Sequence, residues 1–180
     1  MNDGLIPNRY AKALYKYAQE QGVAQEVYAQ MKSVAMNYAL IPELKKTVDN
    51  PFLPVADREK VLLSAAGAKK NGCLDKFILM VIKNNRESFM REIALSYGKI
   101  YREANNIAQV NITTAVELPE DKLSQIIEVV QPQLNGKTIE KTVNVDASLI
   151  GGFKVQVDSM VLDTSVNNEL KKLRLKLLKR

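Results

Sequence analysis

The sequence predicts an α+β protein, in which a six-helix bundle at residues 1–105 is followed by a small α/β domain at residues 106–180. Apolar residues recur at three- and four-residue spacing through the first part, which is typical of amphipathic helices. After Asn105–Asn106 the spacing changes to two, which is typical of strands. Hydrophobic residues make up 46% of the 180 residues, so a core can form in each part.

Breaks in the apolar pattern divide the first part into six predicted helices. Pro51 and Pro54 require an extended link after the third helix, because neither residue is tolerated inside a helix. Asp57 is expected to cap the fourth helix, and Gly67 to end it. The fifth helix is apolar almost all round, which predicts a central position. The approximate spans are 7–21, 24–41, 43–48, 57–67, 74–83 and 89–104.

The second part combines strands with two helices. Alternating apolar residues predict strands at about 110–116, 139–145, 153–157 and 160–162. Pro119, followed by two acidic residues, predicts the start of a helix that ends before Gly136. A turn at residues 163–165 precedes a basic amphipathic helix that continues to the end of the chain.

A pair of glycines, Gly151 and Gly152, interrupts the apolar strand pattern. Glycine reaches positive φ without steric cost, so we interpret the pair as a structural turn or bulge rather than a ligand contact.

Several common signatures of catalytic sites are missing from the sequence, although catalysis by carboxylates alone remains possible in principle. It contains no histidine, which excludes Ser–His and Cys–His pairs. Cys73 is the only cysteine and is interpreted as a packing residue. Neither Gly67–Gly72 nor Gly136–Thr138 completes the phosphate-binding loop motif. We therefore predict no enzyme activity, no cofactor and no metal.

Charge and hydropathy argue against three further classes: nucleic-acid binders, membrane-spanning proteins and secreted proteins. The net charge of +6 is spread along the chain, whereas nucleic-acid binders usually concentrate it on one face. The longest apolar run, Phe77–Ile82, is far shorter than the roughly 20 residues of a membrane-spanning helix. Met1–Gly4 lacks the features of a secretory signal.

Two helical faces are candidates for partner binding. On the first helix, Tyr10, Leu14 and Tyr17 share a face that belongs either to the bundle core or to a half-exposed groove. The last helix carries an apolar face among basic residues, which either packs on the sheet or binds a partner. Its candidate residues are Val166, Leu170, Lys171, Leu173 and Leu177.

Two segments resemble a known family. The family is that of the delta subunits of bacterial F-type ATP synthases, which includes the mitochondrial oligomycin-sensitivity-conferring protein. Arg9–Leu14 is similar to the first helix of these subunits. Their C-terminal signature is similar to Asp146–Phe153 together with Asp163, Ser165, Val166 and Leu170. The resemblance runs in the same order over nearly the whole chain. The main departure is Asp158, in a turn.

The resemblance implies a non-catalytic stator subunit. In this family a groove between the first and fifth helices takes the N-terminal helix of alpha subunits, and the C-terminal part holds the end of the b stalk. The groove is expected at Tyr10, Ala13, Leu14, Tyr17, Phe77 and Val81. The expected location is the cytoplasmic face of the bacterial inner membrane, with membrane association only through the complex and no nucleic acid bound.

A basic helical nucleic-acid-binding module is the alternative. It needs clustered Arg and Lys with aromatic stacking residues or a recognition helix. Only the last helix, with Arg174 and Arg180, approaches this pattern, and it has no aromatic residue.

Overall fold

The computed structural model describes residues 4–50, 52–70, 72–134, 136–157 and 160–178. The chain forms two compact units, Met1–Tyr101 (unit 1) and Arg102–Arg180 (unit 2). The boundary lies in the last turn of a helix that ends at Ala104, just before the predicted joint. Several residues used in the sequence analysis lie outside the described ranges: Met1, Pro51, Asp158 and Arg180.

The six predicted helices of unit 1 are present among its described residues. A 3-10 turn at Glu87–Phe89 precedes the sixth helix, which therefore begins at Met90 rather than Phe89. The helices are α1 (Leu5–Glu20), α2 (Ala24–Leu40), α3 (Pro42–Val48), α4 (Val55–Ala66), α5 (Cys73–Lys83) and α6 (Met90–Ala104).

The core of unit 1 is formed by the buried stripes of these helices. Leu14 on α1, Met31 on α2, Ile78 on α5 and Ile93 on α6 are at most 1% exposed. Burying each such side chain contributes about 1.5–3 kcal/mol. The buried Tyr97 satisfies its hydroxyl by donating to the carbonyl oxygen of Ala24, 3.1 Å away, and so joins α6 to the start of α2.

The predicted cap at Asp57 is wrong. α4 begins at Val55, directly after Pro54, and Asp57 lies within the first turn. There its carboxylate pairs with the ammonium of Lys60 at 3.2 Å and lies near the positive end of the helix dipole. The predicted end at Gly67 is confirmed, with a left-handed backbone at that residue.

Several carboxylates lie near the junction of α2, α3 and α6. Desolvation raises the pKa of Asp49, Lys45 opposes the rise, and Glu87 and Glu92 add to it. Burial, with the charges of Asp49, Glu92 and Glu87, also raises the pKa of the Tyr38 hydroxyl. Arg58 forms an ion pair with Glu87. The ionised form of Asp49 is therefore less favourable in the folded chain than in the unfolded chain.

We expect Asp49→Asn to stabilise unit 1 at pH 7. A raised folded-state pKa makes Asp49 destabilising above that pKa, and the penalty disappears as the pH falls towards the ordinary value of 3.8. The difference in urea midpoint between the variant and the natural chain should therefore shrink from pH 7 to pH 4. A difference that grows on acidification would contradict this sign.

Unit 2 is built on a four-stranded mixed sheet, ordered β2-β1-β3-β4. β1 pairs in parallel with β2 and antiparallel with β3, and β3 pairs antiparallel with β4. α7 makes the crossover that the parallel pair needs. The elements are β1 (Ile107–Thr114), α7 (Glu120–Val130), β2 (Thr138–Val145), β3 (Phe153–Val157), β4 (Met160–Asp163) and α8 (Val166–Leu178).

The core of unit 2 lies between the sheet and α7. Alternate residues of β1 are buried, among them Val110 and Ile112. They form one cluster with Val155 of β3 and with Leu123 and Ile126 of α7. The predicted α+β fold class is confirmed.

The outer strands are more exposed than their alternating patterns predict. On β2, Val143 is 39% and Val145 52% exposed, because β2 lies at an edge of the sheet. β4 forms the other edge, and its Leu162 is 40% exposed. β1 ends at Thr114, so the predicted extension to Val116 is wrong, and Val116 is exposed.

Candidate functional site

A continuous groove runs between α1 and α5. It consists of two hollows of about 470 Å³ and about 300 Å³, which share Ala13 and Met80 in their walls. We call it the α1/α5 groove. Its lining residues are Ile6, Arg9, Tyr10, Ala13, Leu14, Tyr17, Lys76, Phe77, Met80, Asn84 and Arg86.

Helical spacing brings these residues to one surface. Tyr10, Ala13 and Tyr17 lie three and four residues apart on α1, and Phe77 and Met80 three apart on α5, so each set shares a face. The rings of Tyr10 and Phe77 meet edge to face with centroids 6.3 Å apart. This contact joins the two helices that form the groove and adds about 0.5–1.5 kcal/mol beyond burial.

The six residues predicted for the groove separate into wall and core. Ala13 is exposed, and Tyr10 and Tyr17 are half-buried, so all three offer surface. Leu14 and Phe77 line the groove but are 1% and 5% exposed. Val81, which was also predicted to line the groove, is fully buried and is not among the lining residues. It supports the groove from the core instead. The face of the first helix therefore belongs partly to the bundle core and partly to the groove.

Met80 is the most important groove residue that the sequence analysis missed. It is 41% exposed, and the neighbouring Leu79 is 39% exposed. The fifth helix, for which a central position was predicted, is therefore open to solvent on this side. Met80 follows Phe77 by three residues, and this spacing was the available signal.

The charged residues of the groove are all basic. Arg9, Lys76 and Arg86 line it, and no acidic side chain is among the lining residues that the structure describes. An apolar groove with basic walls suits an amphipathic helix that carries acidic residues beside its apolar face.

A second apolar surface lies on α8. Val166 is 42%, Leu170 52%, Leu173 55% and Leu177 74% exposed. We call these four residues the α8 stripe. Of the two interpretations of this helix, the structure excludes packing of the leucines on the sheet. Lys171, also predicted here, is exposed beside them.

Hydrogen bonds at its first turn fix α8 to the rest of unit 2. The Asp163 carboxylate accepts from the backbone N–H of Ser165 at 3.0 Å and from its hydroxyl at 2.7 Å. These two bonds lower the pKa of Asp163. The Asn168 side chain donates to the Asp163 carbonyl oxygen at 3.1 Å, and Asn167 to that of Ser148 at 3.1 Å.

The glycine pair lies directly against this turn. Gly152 has a φ of +75°, and a Cβ there would lie 2.4 Å from the carbonyl oxygen of Thr164. A Cβ on Gly151 would lie 3.0 Å from Val166 Cγ2, although Gly151 has no positive φ. Both glycines lie in a bend just before β3, but only Gly152 needs glycine for its backbone. The preceding Ile150 also has a positive φ, of +67°, which is unusual for a β-branched residue.

Features of other site classes are sparse in the described part of the chain. Within it, no three His, Cys, Asp or Glu residues come close enough to hold a metal ion. Burial raises the pKa of the Cys73 thiol, which lowers its reactivity at neutral pH. The described helices include none with the length and hydropathy to span a membrane.

Comparisons with known proteins agree along the chain. The family model described as ATP synthase delta (OSCP) subunit matches residues 6–177. The ATP synthase subunit delta of Phocaeicola vulgatus is 36% identical, over 95% of this chain and 92% of that protein. The same subunit of Parabacteroides distasonis is 32% identical, over 99% of this chain and 98% of that protein.

The fold is also similar to a solved structure. A chain in the cryo-EM structure of the Toxoplasma gondii mitochondrial ATP synthase hexamer matches with a TM-score of 0.69 at 21% identity, over 96% of this chain and 97% of that chain. Sequence and fold therefore agree, and the nucleic-acid alternative is not favoured. The chain belongs to the ATP synthase delta (OSCP) subunit family and is a peripheral-stalk subunit of an F-type ATP synthase.

Proposed function

We propose that the chain links the alpha subunits of the catalytic head to the b subunits of the stalk. The head is thereby kept from turning with the rotor, so that proton-driven rotation is coupled to ATP synthesis. The observation that carries this proposal is the presence of one open apolar surface on each unit, the α1/α5 groove and the α8 stripe. A linker needs two such surfaces.

Unit 1 binds the N-terminal helix of an alpha subunit in the α1/α5 groove. The apolar floor of Leu14 and Phe77 accepts the apolar face of a helix, and Met80 and Tyr17 line the groove beside them. Arg9, Lys76 and Arg86 attract acidic residues and fix the orientation more than they raise the affinity. Most of the binding free energy comes from apolar burial, reduced by the cost of association.

Unit 2 binds the end of the b stalk through the α8 stripe. Val166 and the three leucines offer apolar surface that the described part of the chain leaves open. The basic residues around them favour the acidic residues that stalk helices usually carry. The chain itself is non-catalytic, and it joins the cytoplasmic face of the bacterial inner membrane only through the complex.

Deleting residues 170–180 is expected to detach b and leave alpha binding intact. The cut keeps the first turn of α8, including the hydrogen bonds of Ser165, Asn167 and Asn168, so the sheet should stay folded. It removes the three leucines of the α8 stripe. The measurements are binding of the soluble part of b and binding of a peptide from the alpha N-terminus.

The full chain is the control, with circular dichroism of both proteins. If the shortened chain still holds b with full affinity, or loses the alpha peptide instead, the two surfaces have been assigned to the wrong partners. Loss of binding to both partners, together with loss of the strand signal in circular dichroism, would show that α8 supports the fold.

A further inference from the structure

The methionines of the chain differ sharply in their exposure to solvent. Among the described residues, Met31 and Met90 are fully buried. The three others, Met36, Met80 and Met160, are 62%, 41% and 48% exposed. Of these three, only Met80 lines the α1/α5 groove. Exposed thioethers are open to reversible oxidation, so this chemistry can reach the groove at one methionine.

Met80 lies where a change of polarity would act on the whole groove. It is in the walls of both hollows. The apolar floor beside it is nearly covered, since Leu14 is 1% and Phe77 5% exposed. Met80 is therefore the more accessible of the two apolar side chains that α5 offers to the larger part of an incoming helix, and a helix seated in the groove would cover it.

Cys73 is the other sulfur that an oxidant could attack. Burial raises the pKa of its thiol, so little of the reactive thiolate is present at neutral pH. Cys73 lines a separate hollow with Val23 and Val27 and is not among the residues that line the groove. A thioether needs no deprotonation before it reacts. Met80 is therefore the oxidisable side chain that the structure places in the groove.

The oxidation needs only a peroxide as co-reactant. The thioether sulfur attacks one oxygen of hydrogen peroxide, and the O–O bond breaks. A proton passes from the transferred oxygen to the departing hydroxide, which leaves as water. The sulfur is oxidised by two electrons to the sulfoxide and the peroxide is reduced, and sulfoxide reductases reverse the change.

We propose that Met80 is a reversible oxidation site that regulates the α1/α5 groove: the thioether permits binding of the alpha N-terminal helix, and the sulfoxide weakens it. This inference rests on the proposed function and adds its regulation. The sulfoxide oxygen is a hydrogen-bond acceptor, and burying it against an apolar helix face is unfavourable. Because a bound helix covers Met80, the switch acts on the free subunit, before it joins the catalytic head.

The test uses the full chain, with a peptide from the alpha N-terminus as the probe. The chain is treated with dilute hydrogen peroxide, and peptide mapping by mass spectrometry gives the oxidised fraction at each methionine. Isothermal titration before and after treatment is expected to show a dissociation constant about tenfold higher once Met80 is fully oxidised. Treatment with both methionine sulfoxide reductases should restore the original value.

Met80→Leu and Met36→Leu are the matched variants. Leucine is apolar but cannot form a sulfoxide, and exchange of methionine for leucine conserves volume. The quantity compared is the ratio of the dissociation constants after and before peroxide within each variant. This ratio should be about one for Met80→Leu, which keeps Met36, Met160 and Cys73, and about ten for Met36→Leu.

Protection by the peptide gives a second readout that needs no variant. Bound peptide should slow the oxidation of Met80 and leave that of Met36 unchanged, because only the first lies in the groove. Equal rates with and without peptide would overturn the proposal.

The remaining outcomes separate the switch from the proposed function. Resistance of Met80 to peroxide, unchanged affinity after its full oxidation, or a loss that persists in Met80→Leu would each overturn the switch. Failure of the untreated natural chain to bind the peptide would instead overturn the proposed function. The buried Met31 and Met90 should stay reduced and the circular dichroism spectrum unchanged. Loss of the helical signal would assign the weakening to unfolding and would also overturn the switch.

Discussion

Replacing Gly152 by alanine is expected to destabilise unit 2 by about 2–5 kcal/mol, the sum of backbone strain and steric overlap. The φ of +75° is unfavourable for alanine, and the new Cβ would lie 2.4 Å from the carbonyl oxygen of Thr164. Relief of this overlap requires the turn before α8 to move. Urea unfolding, with hydrogen exchange of the amides of β1 and β3, measures the loss.

Gly136→Ala is the matched control for Gly152→Ala. Gly136 is in the same unit and has a φ of +77°, but a Cβ there meets nothing within 4 Å. Its substitution should cost about 1 kcal/mol from backbone strain alone. Equal losses for the two variants would mean that the contact with Thr164 contributes nothing, and that Gly152 is required only for its backbone angle.

Met80→Glu is expected to weaken binding of the alpha N-terminal helix by about 10- to 100-fold. The substitution removes an apolar side chain that contributes about 1.5–3 kcal/mol when fully buried, and it adds a charge that binding must desolvate. Met80 is shared by both hollows of the α1/α5 groove. Because it is 41% exposed in the free chain, the fold should tolerate the change.

Leu79→Glu tests whether this loss is specific to the groove. Leu79 is the preceding residue of α5, is 39% exposed, and does not line the groove described above. Isothermal titration with the alpha peptide should give a nearly unchanged dissociation constant for Leu79→Glu. Equal weakening of binding by both variants would argue against apolar binding in this groove. The same conclusion would follow if modest salt abolished binding while Met80→Glu left it unchanged.

Periodicity predicted the elements of this fold well, because the helices of unit 1 and the central strands of unit 2 each bury one face. The predicted cap at Asp57 is wrong, because Pro54 sets the backbone just before α4 and the helix starts earlier. Periodicity predicted the strand that contains Val143 and Val145 but not their exposure, which follows from the position of β2 at the edge of the sheet. Edge position depends on strand order, which one sequence does not display.

Periodicity is limited in the same way for the two candidate surfaces. Apolar spacing identified the faces of α1 and α8, but it could not decide whether other elements cover them. Leu14 is covered by the bundle, whereas Leu173 on a similar pattern is exposed. Met80 was missed because, on a helix that is apolar almost all round, its spacing of three from Phe77 is only a weak sign of the open side. The positive φ of Ile150 had no signal in the residue type, since β-branched residues normally avoid it.

The exposure of α8 has a consequence for cells that make this subunit in excess. Leu170, Leu173 and Leu177 present a helix surface that water solvates poorly, and nothing else in the described chain shields it. Such patches invite self-association and capture by chaperones or proteases. We therefore expect the orphan subunit to be short-lived, so that its abundance follows the supply of its partners rather than its own rate of synthesis.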